Sequence, residues 1–165
     1  MTPTAPRPKT PGRAEEAASA MAPLSKQRLR LWLRLLHANR HMESRLREKM
    51  RETYESTLPR FDVLAALARK PDGLRMSDLS SMLKVSNGNV TGIIERLVGE
   101  GMVERIRVEG DRRAMRVRLT DEGRARFAEM AERHEAWVDA LLADFDEDEL
   151  DILVRLLSRI GERDT

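Results

Sequence analysis

Between Leu24 and Tyr54 apolar side chains return at spacings of mostly three or four, through Leu29, Trp32, Leu36, Met42, Leu46, Met50 and Tyr54. That is the period of an amphipathic α-helix. It predicts one helix over 24–54, longer than an average globular helix. Such a helix rarely finds enough partner surface inside one small domain, so burial against a second copy of the chain is expected. Leu58-Pro59 interrupts the pattern. Phe61, Val63, Leu64, Ala66 and Leu67 then predict a shorter helix, ended by Pro71-Asp72-Gly73. Leu74 to Leu83 predicts another, with Met76, Leu79 and Leu83 on its apolar side. Ser86 stands where it would cap a further helix running to about Glu100, which Gly101 stops.

The period then changes from about 3.6 to 2. Val103-Glu104-Arg105-Ile106-Arg107-Val108 alternates apolar and polar, and Met115, Val117 and Leu119 alternate with Arg116 and Arg118. Both read as half-buried strands. Glu109-Gly110-Asp111 lies between them as a turn, which places Arg112 and Arg113 at the tip of a β-hairpin. Thr120 can cap a long helix carrying Phe127, Met130, His134, Trp137, Leu141 and Phe145. Asp146 and Glu149 form a capping-box-like start for a last helix with Leu150, Leu153, Leu157 and Ile160.

The predicted fold is mainly α with a small β-hairpin wing. A winged helix-turn-helix domain spans 58–120, and 24–57 with 121–165 form a helical dimerisation module. Residues 1–23 hold five of the seven prolines and are read as a disordered tail, with Arg7, Lys9 and Arg13 as its basic residues.

Composition narrows the function classes. No run of about 18 apolar residues is present, so no transmembrane helix is expected. The polar, Pro-rich start lacks the apolar core of a secretory signal, and a cytoplasmic protein is expected. With no cysteine, disulfides, thiolate metal sites and cysteine redox sensing are excluded. The net charge of +2 conceals an asymmetry: residues 24–57 carry nine basic and four acidic side chains, 58–120 twelve and eight, and 121–165 six and fourteen. A basic body beside an acidic end suits an oriented approach to a polyanion. There is no Gly-rich phosphate loop and no cysteine nucleophile. The acidic run from Asp144 to Asp151 reads as the solvated start of a helix. No enzymatic activity and no cofactor are expected.

The helix after Ser86 holds the most telling residues. Val90, Ile94 and Leu97 fall on one face, and Gly88, Thr91, Gly92, Glu95 and Gly99 on the other. Glycine inside a helix costs about 1 kcal/mol relative to alanine. Gly92 therefore implies close approach of something, either a DNA groove or another packed helix. Asn87 and Asn89 could meet adenine edges, Thr91 a thymine methyl, and Arg96 a phosphate. The unpaired N–H groups near Ser86 also favour phosphate.

The runs Val85-Ser86-Asn87-Gly88-Asn89-Val90-Thr91-Gly92-Ile93-Ile94-Glu95-Arg96-Leu97, Gly101-Met102-Val103-Glu104-Arg105 and Asp111-Arg112-Arg113-Ala114-Met115-Arg116-Val117-Arg118-Leu119-Thr120 together resemble the MarR family of transcriptional regulators. The resemblance covers about residues 25–160. Its most specific part is the wing, where Asp111 and Arg113 stand two apart ahead of a strand ending Leu119-Thr120. It implies a homodimer that binds double-stranded DNA at a pseudo-palindromic site. The recognition helix would enter the major groove and Arg113 the minor groove, with Asp111 orienting the wing arginines. Repression relieved by a small organic effector is the family-level expectation, with aromatic carboxylates or their CoA thioesters as the recurring ligands.

For such an effector the first long helix offers Trp32, Leu36, Arg40 and His41, and Phe61 could complete an apolar wall; core or dimer packing is the competing role for Trp32 and Leu36. His37 and His41, four apart, could face one way on a helix. A divalent metal needs more ligands than these, with Glu43 and Glu135 the nearest candidates, and no metal site is assigned. The alternative function is a winged domain for protein contact or non-specific DNA coating. Sequence preference and salt dependence separate it from a base-reading regulator.

Overall fold

The computed structural model describes residues 23–84, 87–108 and 111–161, and for Asn87, Val108, Asp111–Ala114 and Gly161 the backbone alone. In chain order the elements are α1 (Leu24–Tyr54), α2 (Leu58–Ala68), β1 (Leu74–Arg75), α3 (Met76–Leu83), α4 (Asn87–Gly99), β2 (Val103–Val108), β3 (Asp111–Leu119), α5 (Asp121–Leu142) and α6 (Glu147–Gly161). The fold is mostly helical with one small antiparallel sheet, as the changing period predicted. Two compact units divide at His41/Met42, inside α1. In the first, described from residue 23, the helix leaves Leu24, Leu29, Leu31, Trp32 and Leu33 exposed.

The second unit holds the core. Val63, Leu64 and Leu67 from α2, Leu79 from α3, Val90, Ile94 and Leu97 from α4, and Val103 and Val117 from the sheet are buried there. Each such side chain contributes roughly 1.5–3 kcal/mol by leaving water. Met50 of α1 and Met130 of α5 close the same cluster. Pro59 lies in the first turn of α2, where its missing N–H costs nothing and its fixed φ suits the helix.

The sheet has the order β1-β3-β2. Its first strand departs from the sequence expectation, which placed Leu74 in a helix. Leu74 and Arg75 instead pair antiparallel with Val117 and Arg116. Two residues are too few to show a period of two, and their hydrogen-bonding partner lies far along the chain.

One junction ties these elements together. Gly101, at φ +72°, ends α4 in a Schellman turn. The Met102 N–H donates to the Leu97 carbonyl and the Gly101 N–H to the Val98 carbonyl, both at 3.0 Å. The Met102 carbonyl then accepts from the Thr120 N–H at 3.1 Å. The Thr120 hydroxyl donates to the Gly101 carbonyl at 2.7 Å and accepts from the Gly123 N–H at 2.9 Å, capping α5. A Cβ on Gly123 would stand 1.9 Å from the Met102 carbonyl oxygen. At the start of α6 the expected box also forms: Asp146 N–H donates to Glu149 Oε2 at 3.1 Å and Glu149 N–H to Asp146 Oδ1 at 2.9 Å.

Gly123→Ala is therefore expected to lower unfolding stability by on the order of 3 kcal/mol, because backbone must move. Thr120→Ala, which removes the cap and the hydrogen bond to the Gly101 carbonyl, should cost about 1–2 kcal/mol. Urea unfolding at fixed protein concentration measures both, and an unchanged midpoint for Gly123→Ala would contradict the close approach.

Candidate nucleic-acid interface

The sequence forms α4 as a helix whose apolar line is fully committed inward. Val90, Ile94 and Leu97 have no exposed surface. With about 100° per residue, Gly88, Gly92, Glu95 and Gly99 point the opposite way. All four are exposed, as are Asn89, Thr91 and Arg96 on either side of that line. A Cβ at Gly88, Gly92 or Gly99 would meet nothing within 4 Å. Of the two accounts of Gly92, packing against another described helix of this chain therefore fails. Asn87 opens α4, with its backbone alone described. Ser86, expected to cap it, lies outside the described residues.

The far end of α4 is tethered. Glu100, just past it, pairs with Arg60 of α2, whose side chain is only 16% exposed. Arg60 Nε is buried without a hydrogen-bond partner among the described residues. This contact joins a residue of α2 to the turn that follows α4, and no local pattern in the sequence marks it.

In the wing, β2 and β3 pair from Val103↔Leu119 through Arg107↔Met115. Val103 and Leu119 face the core; Glu104↔Arg118 and Ile106↔Arg116 lie on the other face. Arg118 Nε donates to Glu104 Oε1 at 2.7 Å, an exposed cross-strand pair worth well under 1 kcal/mol. Beyond Arg107 the register shifts, and Val108 pairs with Asp111. Hence β3 starts at Asp111, where the sequence expectation had a turn through Asp111 and a second strand from Met115. Asp111, Arg112 and Arg113 sit on strand backbone beside the irregularity. The residues between the strands, Glu109 and Gly110, lie outside the described ones. A register irregularity re-aims the chain locally, and alternation alone cannot show it.

The residues expected to bind an effector are distributed between the units. Trp32, Leu36, Arg40 and His41 belong to the first. There Trp32 is 57% exposed, Leu36 is half-buried, and Arg40 and His41 are exposed. Phe61 belongs to the second and is buried. Its ring stacks on His134 at 4.6 Å and 19°, and meets Phe127 at 5.6 Å. Burial lowers the His134 pKa, opposed by the Asp62 charge. Burial likewise raises that of Asp62, opposed by His134.

A cavity of about 460 Å³ in the second unit is lined by Tyr54, Ser56, Arg60, Leu64, Arg126 and Met130, among others. None of the expected effector residues lines it. Among the described residues no three His, Cys, Asp or Glu side chains converge as a metal site would require. No described helix is long and apolar enough to cross a membrane.

Comparison with known proteins places this geometry. Residues 57–114 match the family model described as MarR family. The chain is 33% identical over 115 residues to the HTH-type transcriptional regulator PecS of Dickeya dadantii, covering 68% of this chain and 69% of that protein. It is 28% identical over 105 residues to the HTH-type transcriptional repressor YetL of Bacillus subtilis, covering 63% of each. A MarR family regulator from Silicibacter pomeroyi superposes with a TM-score of 0.71 at 32% identity, over 86% of this chain and 98% of that one. A mutant MarR from E. coli, complexed with operator DNA, superposes with a TM-score of 0.68 at 25% identity, over 84% of this chain and 99% of that one. The chain belongs to the MarR family: it is a winged-helix, DNA-binding transcriptional regulator and not an enzyme.

Because Gly92 is helical and faces open space, Gly92→Ala should raise unfolding stability by about 0.5–1 kcal/mol. Destabilisation measured in urea would reveal packing at that face.

Proposed function

We propose that the protein is a homodimeric repressor that reads a pseudo-palindromic operator and leaves it when a small organic acid binds. The observation that carries the DNA half is the outward face of α4. It keeps three glycines over open space and sets Asn89, Thr91 and Arg96 around them. A helix that gives up stability for a flat, exposed backbone line is suited to close approach in a major groove. Arg113 and Asp111 would supply the minor-groove contact that the family resemblance implies, and Ser86, Asn87 and Arg112 are the further DNA contacts to which the sequence points. The operator complex of the E. coli relative supports the binding of operator DNA.

Support for the dimer comes from apolar surface without a partner. In α6, Ile152, Leu153, Val154, Leu156, Leu157 and Ile160 are all exposed, Val154 by 65%. A monomer rarely leaves so much contiguous apolar area in water. Two copies related by a two-fold axis would present two α4 helices to half-sites about one helical turn apart. The repressor role follows the name of the B. subtilis relative. The effector half rests on the family resemblance, with aromatic carboxylates and their CoA thioesters as the compounds to screen. Such a regulator acts in the cytoplasm, where its DNA lies.

Fluorescence anisotropy on the DNA upstream of its own gene, against excess random DNA near physiological salt, tests the proposal. Binding that survives the competitor is expected, and Arg113→Ala should weaken it roughly 10- to 100-fold with the fold intact. Equal competition by any DNA would instead indicate a coating role, and no binding to either DNA a protein-contact module. Adding the candidate acids should release the bound DNA; if none does, the effector class is wrong.

Leu153→Glu with Leu157→Glu should convert the dimer to a monomer by sedimentation velocity. A wild-type chain that sediments as a monomer at micromolar concentration would overturn the dimer.

A further inference from the structure

Glu95 is an unusual residue to find where it stands. It lies on the outermost line of α4 with Gly88, Gly92 and Gly99, and it is exposed. Its helical neighbours at three and four residues are Thr91, Gly92, Val98 and Gly99, so no base on its own helix can pair with it. Among the described residues it has no hydrogen bond and no ion pair. Four other glutamates do have an ion pair: Glu43 with Arg47, Glu48 with Arg45, Glu100 with Arg60, and Glu104 with Arg118. A lone carboxylate in the middle of a surface that meets a polyanion weakens the non-specific, phosphate-driven part of binding. It becomes favourable only where a base edge offers it a hydrogen-bond donor.

The flanking glycines decide how far it can reach. With no side chains at positions 88, 92 and 99, Glu95 is the longest group on that line, and the backbone around it can approach the groove floor. In the major groove a carboxylate accepts from the exocyclic amine of cytosine. Adenine also offers an amine, but its N7 acceptor beside it repels the second carboxylate oxygen. Guanine presents two acceptors and thymine an acceptor and a methyl, and neither supplies a donor.

We infer that Glu95 is a specificity-determining residue that reads a cytosine in each operator half-site. This inference rests on the DNA-binding role proposed for α4 and deepens it. The same chemistry predicts a switch: in Glu95→Gln the amide can donate to N7 and accept from N6 of adenine, so the preferred base should change from cytosine to adenine at that position alone.

The test is selection of bound sequences from a randomised duplex pool by the wild-type protein, Glu95→Gln and Glu95→Ala, followed by anisotropy on the selected sites. Wild type should enrich symmetric half-sites with one fixed cytosine, and replacing it by adenine should weaken binding roughly ten- to hundredfold. Glu95→Gln should enrich adenine there, and Glu95→Ala should lose preference at that position while binding random DNA more tightly. An enriched site that lacks a fixed cytosine, or that is identical in all three proteins, would overturn the role of Glu95 while leaving sequence-specific binding in place. A wild-type pool with no enriched sequence would instead overturn the DNA-reading role of α4 itself. Unchanged circular dichroism in both variants, expected for an exposed unpartnered side chain, keeps loss of folding from imitating either result.

Discussion

The backbone of Met102 is the point through which the second unit is held together. Its N–H closes the turn that ends α4, and its carbonyl accepts from Thr120 at the end of β3. Gly123 of α5 presses on that same carbonyl. α4, the end of β3 and α5 thus meet at the backbone of one buried residue, with Gly101 in the left-handed conformation and Gly123 without a side chain. A buried residue must find partners for both its backbone donor and its backbone acceptor. Here those partners come from different elements, so satisfying this residue's backbone also fixes how α4, the wing and α5 are joined. The outward direction of α4 follows from this junction together with the burial of Val90, Ile94 and Leu97.

The charges divide accordingly. Arg60 with Glu100 and Arg118 with Glu104 are matched inside the molecule, at the tether of α4 and across the wing strands. Glu95 is unmatched and faces outward. Exposed pairs contribute little to stability, so the informative feature of this surface is which charges lack an internal partner. The outward line of α4 combines poor helix formers with an unpaired carboxylate. Local preference and fold disagree there, as they commonly do at surfaces shaped for a ligand.

Much of this was legible along the chain. The periods of α1, α2, α4 and α5, the caps at Thr120 and Asp146, and the stop at Gly101 all depend on neighbours within a few residues. The same holds for the inward line of α4, and so for the opposite face on which Gly92 and Glu95 stand. The runs around Asn87–Leu97 and Asp111–Thr120 were specific enough to point to the family. What escaped was contact at a distance. β1 is two residues long and exists because β3 returns beside it. The register irregularity that lets β3 begin at Asp111 is set by pairing, not by composition. The cavity lined by Arg60 and Arg126 draws on four segments, and no single one announces it.

The sequence by itself determined the helices and the two wing strands, their order, the inward line of α4 and the family to which the chain belongs, because hydrophobic period, caps and turn residues act over one or two helical turns. The tertiary structure alone decided that the glycines of α4 face open space, that Gly123 cannot carry a side chain, that Phe61 is enclosed by His134 and Phe127, and that Arg60 holds Glu100. Each of these depends on which atoms from remote parts of the chain arrive at the same place, and close packing fixes that only once the whole second unit has formed.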